Sequence, residues 1–134
     1  MGKTSLLATV GVGGLLLAMP AFGHHAFSAE FDADKPITLT GTVTSVEWQN
    51  PHTWFYIDVK DEAGNVANWG LELASPNLLL RNGWTRNTMK VGDVVTVESF
   101  RAKNGSNIAN ARSITLTATG QKLLGGSSQE GRTQ

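Results

Sequence analysis

Three histidines are all the imidazole this chain carries, and two of them stand side by side. His24 and His25 follow Ala21-Phe22-Gly23, which reads as the end of a secretion leader with small residues at the two positions the peptidase pocket requires. Cleavage after Gly23 makes His24 the first residue. Its free amine and a ring nitrogen can then close one chelate ring on a metal ion. His25 supplies a second imidazole, and His52, in the turn Asn50-Pro51-His52, supplies a third. Nitrogen-rich square or T-shaped ligation suits copper better than magnesium or calcium. The expected metal ligands are therefore His24, His25 and His52, with copper as the ion and Glu30, Asp32 and Glu47 as further or outer-sphere acids. The plainer alternative is adventitious copper or nickel on the His-His pair, with His52 bonded inside its own turn. Position three after cleavage is Ala26, so the common third-position copper histidine is absent.

A second candidate site is aromatic. Trp54 and Tyr56 alternate with Phe55, Ile57 and Val59. If the latter three face a core, Trp54 and Tyr56 lie on the outer surface, where together with Trp69 they can stack a base, a sugar or a partner protein. The alternative is burial beneath an N-terminal arm, against Phe27 or Phe31. Glu72 and Asp58 are a conceivable acid-base pair, but carboxylates on separate strands are ordinary. Arg101, Lys103 and Arg112 read as a solvated hairpin. No serine elbow, phosphate loop, dinucleotide fingerprint or paired-histidine zinc helix is visible. The expectation is a protein without enzymatic activity. A formal charge of +0 argues against nucleic acid as a partner.

The ends of the chain fix the expected compartment. Lys3, the apolar stretch from Leu6 to Met19 and Pro20 complete a leader over residues 1–23. The stretch is short of a membrane span and no second one follows, so none is expected after cleavage. A bacterial periplasm is the simplest destination, with an unknown ligand or protein there as the partner. Cysteine is absent, so the exported domain must rely on its core, a partner or a metal. Residues 125–134 are glycine, serine and charge, and read as a disordered tail. The remaining domain spans residues 24–124.

Alternation within that domain predicts five strands. Ile37 to Trp48 is the first; its phase slips near Ser45, suggesting a β-bulge, and Gly41 suggests a tight bend. Trp54 to Lys60 and Asn65 to Leu73 follow, joined by a hairpin at Gly64. Ser75-Pro76 then caps a short helix that Asn82-Gly83 ends. Val94 to Phe100 and Ile108 to Leu116 are the last two strands. Three strands, a short helix and two strands is the order of the small all-β barrel that binds oligonucleotides or oligosaccharides, the OB-fold. An open meander or a small sandwich is the alternative.

The segments HHAFSAEFD, GTVTSVEWQNPHTWFYIDV, NWGLELASPNLLLRNGW and GDVVTVESFRAKNGSNIANARSITL, closing on QKLL, resemble a bacterial family of small exported proteins whose domain has no assigned function. The resemblance covers about residues 24 to 124. It implies export and a β-rich domain, and no reaction. The positions that carry it are His24, His25, Asn50, Pro51, His52, Trp69, Pro76, Gly83 and Trp84.

Overall fold

The strand Phe31–Glu47 (β1) is 17 residues long and serves two neighbours. A computed structural model describes residues 27–126 of the chain. The expected leader, His24, His25 and nearly all of the expected tail lie outside that range. A four-residue helix, Phe27–Glu30 (α1), leads into β1. Then come Trp54–Lys60 (β2), Val66–Glu72 (β3), the helix Pro76–Arg81 (α2), Val94–Ala102 (β4), Ile108–Leu116 (β5) and Lys122–Leu124 (β6).

β1 pairs antiparallel with β4 from Pro36 to Thr42, and with β2 from Thr42 to Glu47. The changeover needs a bend. The register slips between Val43 and Ser45, the bulge that the phase change at Ser45 foretells. Gly41 lies where a Cβ would sit 2.3 Å from the Asp58 carbonyl oxygen, so only glycine lets the two strands approach there. β2 pairs with β3, β4 with β5, and β3 with β5 in parallel through Gly70↔Ile108, Leu71↔Ala109 and Glu72↔Asn110. These pairings close β1, β2, β3, β5 and β4 into a ring. The five expected strands thus form a closed barrel of the expected connectivity, and the short β6 adds to the outer edge of β5.

Asp32, Asp34 and Pro36 are turn-forming residue types just ahead of the expected strand start at Ile37, and they form an irregularity inside β1. Phe31 already pairs with Ala102, and the register shifts before Pro36. Proline lacks the N–H of a regular ladder, so its signal marks a break in pairing rather than the strand's start.

α2 follows β3 and seats Leu79 in the main core. The Ser75 hydroxyl accepts from the Leu78 N–H, Pro76 opens the first turn and Gly83, at φ +89°, ends the helix. Leu79 is its buried side chain. The main core gathers Phe55, Ile57, Trp69, Leu71, Val95, Val97 and Ile114 with Leu79 and Trp84. A satellite core of Phe27, Phe31 and Ala102, backed by Phe100 and Ile108, pins the N-terminal arm to the β4–β5 hairpin. The Phe27 and Phe100 rings meet edge to face with centroids 5.6 Å apart. The Lys103 N–H donates to the Glu30 carbonyl at 2.9 Å.

Candidate functional site

The β2–β3 register sorts the side chains by face. Phe55↔Leu71 and Ile57↔Trp69 are paired positions on the core side; Trp54↔Glu72, Tyr56↔Gly70 and Asp58↔Asn68 are paired on the outer side. Trp54 and Tyr56 are half-buried on the outer face, as their alternation predicts. Trp69 does not join them. It is 7 % exposed within the core, opposite Ile57, with the Arg101 guanidinium 5.4 Å from its ring centroid. The expected placement of Trp69 on the aromatic surface is corrected by strand parity: it shares its face with Leu71, one residue out of phase with Gly70. Trp48 lies beneath the Arg86 guanidinium, and Trp84 is buried with its indole N–H donating to the Leu124 carbonyl.

Gly70 matters for Tyr56. A Cβ at Gly70 would lie 3.2 Å from the Tyr56 ring, so glycine lets that ring rest on the β3 backbone. Burial pushes the Tyr56 hydroxyl above its ordinary range, and the charge and hydrogen bond of Glu47 push it the same way.

The β1–β2 loop delivers His52 to the end of this face. The N–H of Thr53 donates to the Ala74 carbonyl and the N–H of Leu73 to the Thr53 carbonyl, extending the β2–β3 ladder past both strand ends. The loop residue His52 is thereby held beside β3. Its side chain is 24 % exposed; Nδ1 lies 3.1 Å from the Leu73 carbonyl oxygen and 3.9 Å from Glu72 Oε1. Glu72 is itself only 7 % exposed, and Asn110 Nδ2 donates to its Oε1 at 3.2 Å from the neighbouring strand β5. A buried carboxylate needs such donors, because desolvating the charge is otherwise unfavourable.

Glu30, Gln49, Asn50, Pro51, His52, Trp54 and Glu72 line a cleft of about 210 Å³. A neighbouring cleft of about 420 Å³ shares Glu30 and Trp54 and adds Tyr56, Asn68, Gly70, Asn107 and Ile108. The two form one surface between the β1–β2 loop and the β4–β5 loop, the side on which barrels of this connectivity bind ligands. Glu30, the last residue of α1, stands at the junction of the two clefts.

Of the expected metal ligands, His52 is in the first cleft; His24 and His25 lie outside the described residues. Of the expected acids, Glu30 lines both clefts. Glu47 sits beside Tyr56, and Asp32 is occupied with the backbone N–H of Asp34 and with Lys35 at 3.9 Å. Among the described residues, no three histidines, cysteines or carboxylates converge as a metal site. Nor is any helix there long and apolar enough to cross a membrane.

Glu72, which the sequence offers only as a conceivable acid-base partner of Asp58, stands instead as the buried carboxylate beside His52. Its outer-face parity with Asn68 and Gly70 is visible in the alternation. Its burial is not, because Asn110 reaches it only through the parallel β3–β5 closure, a contact between strands far apart in sequence.

A model described as a family of unknown function (DUF6152) matches residues 14–111, and the chain belongs to that family. Among curated proteins, none matches it.

Proposed function

We propose that this chain is an exported periplasmic binding protein, without catalytic activity, that holds copper between its processed N-terminus and the β1–β2 loop. The ligands are the amine and ring of His24, with His25 and His52 completing a nitrogen-rich set. The observation that carries the reading is the placement of the His52 ring. A carbonyl oxygen only accepts hydrogen bonds, so its bond to Leu73 puts the proton of a neutral ring on Nδ1 and the lone pair on Nε2. Backbone carbonyls and carboxylates behind a ring are the usual way a histidine ligand is oriented. Glu72 adds negative charge 3.9 Å behind Nδ1, which favours a cation on the far side of the ring.

The chain path supports the same reading. Glu30 and His52 line one cleft, and α1 ends at Glu30. His25 precedes Phe27 by two residues, a span of at most ~7 Å between Cα atoms. Phe27 is pinned in the satellite core.

The test is a copper titration of protein exported and processed by the cell, so that its N-terminus is authentic. One copper per chain is expected. Binding weakens in His52→Ala and when the terminal amine is acetylated. Stoichiometric binding unchanged by both alterations excludes this arrangement.

A second reading is a ligand- or protein-interaction module on the aromatic barrel face. The half-buried pair Trp54 and Tyr56, beside the larger cleft, favours it. It requires tryptophan fluorescence to respond to a glycan or envelope partner in the presence of a metal chelator.

A further inference from the structure

We infer that the cleft between Trp54, Tyr56 and Asn107 is a subsite for an uncharged pyranose sugar. This deepens the second reading above and is independent of copper. The cleft, at about 420 Å³, falls within the ~300–1,000 Å³ range of small-molecule sites. Its lining is two aromatic rings, two side-chain amides, one carboxylate, Gly70 and Ile108.

Each part has a counterpart on a sugar ring. Aromatic faces carry negative π-density and attract the polarised C–H faces of a pyranose, which a flat apolar wall of aliphatic side chains does not. Gly70 fixes the place of Tyr56 in the cleft wall, because its missing Cβ lets the ring rest on the β3 backbone. Trp54 and Tyr56, two apart on one strand, stand on the same face about 6.8 Å apart along β2. Amides both donate and accept, and carboxylates accept, which suits a ring of hydroxyl groups. Asn68 Nδ2 is committed to Asp58 Oδ1 at 2.8 Å and Thr44 Oγ1 at 3.2 Å, which orients the amide and leaves its oxygen as the group that can accept from a hydroxyl.

Charge argues against the other ligands of such barrels. No lysine or arginine is among the lining residues, and Glu30 is. A phosphate, sulfate or uronate would meet a carboxylate and no compensating cation, so nucleic acids and acidic glycans are disfavoured. An organic cation would satisfy Glu30 and the aromatic faces but would leave the amides unused. The uncharged sugar uses the aromatic faces, the Asn107 amide, the Asn68 oxygen and Glu30.

The test titrates cellotriose, maltotriose and N-acetylchitotriose separately into the processed protein with EDTA present, following tryptophan fluorescence and indole proton shifts. Saturable binding of at least one trisaccharide is expected. Tyr56→Ala and Asn107→Ala, which change the larger cleft alone, weaken it by about tenfold or more. His52→Ala leaves it unchanged, which separates this subsite from the copper arrangement. Far-ultraviolet dichroism of both cleft variants checks that the barrel is retained. The inference is overturned if none of the trisaccharides saturates at millimolar concentration, or if binding survives both cleft variants. It is also overturned if choline or inorganic phosphate binds in their place.

Discussion

His52 Nδ1 lies 3.1 Å from the main-chain oxygen of Leu73, and the Glu72 carboxylate stands 3.9 Å behind the same nitrogen. The ring is thus held against the end of β3. Glu72→Gln tests what the carboxylate adds. Glutamine keeps an oxygen for Asn110 Nδ2 to bond and removes the charge. Copper affinity should fall by ~10–100-fold while the fold is retained. A competition titration against a chelator of known affinity reads the change.

Tyr56 is the only tyrosine in the chain, so tyrosinate absorbance reports one group. Burial and Glu47 favour the neutral phenol, so its midpoint in the folded protein lies above the ordinary value of 10.0. The neutral form is favoured more in the folded state than in the unfolded one. The stability this contributes is present below the unfolded pKa and is lost as pH rises through the folded one. Glu47→Gln should lower the midpoint part of the way, since burial is the larger cause. A spectrophotometric titration with and without denaturant checks both statements.

Gly41→Ala tests the bend that makes β1 serve two neighbours. Its Cβ would fall 2.3 Å from the Asp58 oxygen, which belongs to the backbone and cannot rotate away. The substitution should destabilise the domain by at least ~2 kcal/mol in urea unfolding. Gly64→Ala has open space around its Cβ but a φ of +86°, so its effect comes from backbone conformation alone. It should be smaller, about 1 kcal/mol.

Trp84 is 2 % exposed and donates its indole N–H to Leu124 in β6 at 3.1 Å. Trp84→Ala removes a core side chain and the side-chain bond that adds to the β5–β6 pairing in holding β6. A loss of ~3–5 kcal/mol is expected. Hydrogen exchange should show β6 losing protection before the strands of the ring.

Local features of the fold were legible in the sequence. The bulge at Ser45, the glycine at position 41, both ends of β2 and the Ser75-Pro76 start of α2 all follow from alternation and capping chemistry. The start of β1 was not, because Asp32, Asp34 and Pro36 carry the same signal whether they end a strand or interrupt its pairing. β6 is three residues long, too short for any period to register. At the site, the outward pair Trp54 and Tyr56 came from alternation. Trp69 obeys the same rule in the opposite sense, and being tryptophan does not make a residue part of a binding surface. The sequence offers Glu72 only as a conceivable partner of Asp58; its burial and its bond from Asn110 depend on β5 closing beside β3.

On the copper proposal, the processed N-terminus and His52 share one ion. Electron paramagnetic resonance of the Cu(II)-loaded, correctly processed protein addresses it directly, because nitrogen ligands split the signal. A nitrogen-rich spectrum is expected, with a pattern that changes in His52→Ala and changes again when the terminal amine is blocked. A spectrum identical in all three preparations would contradict the copper proposal.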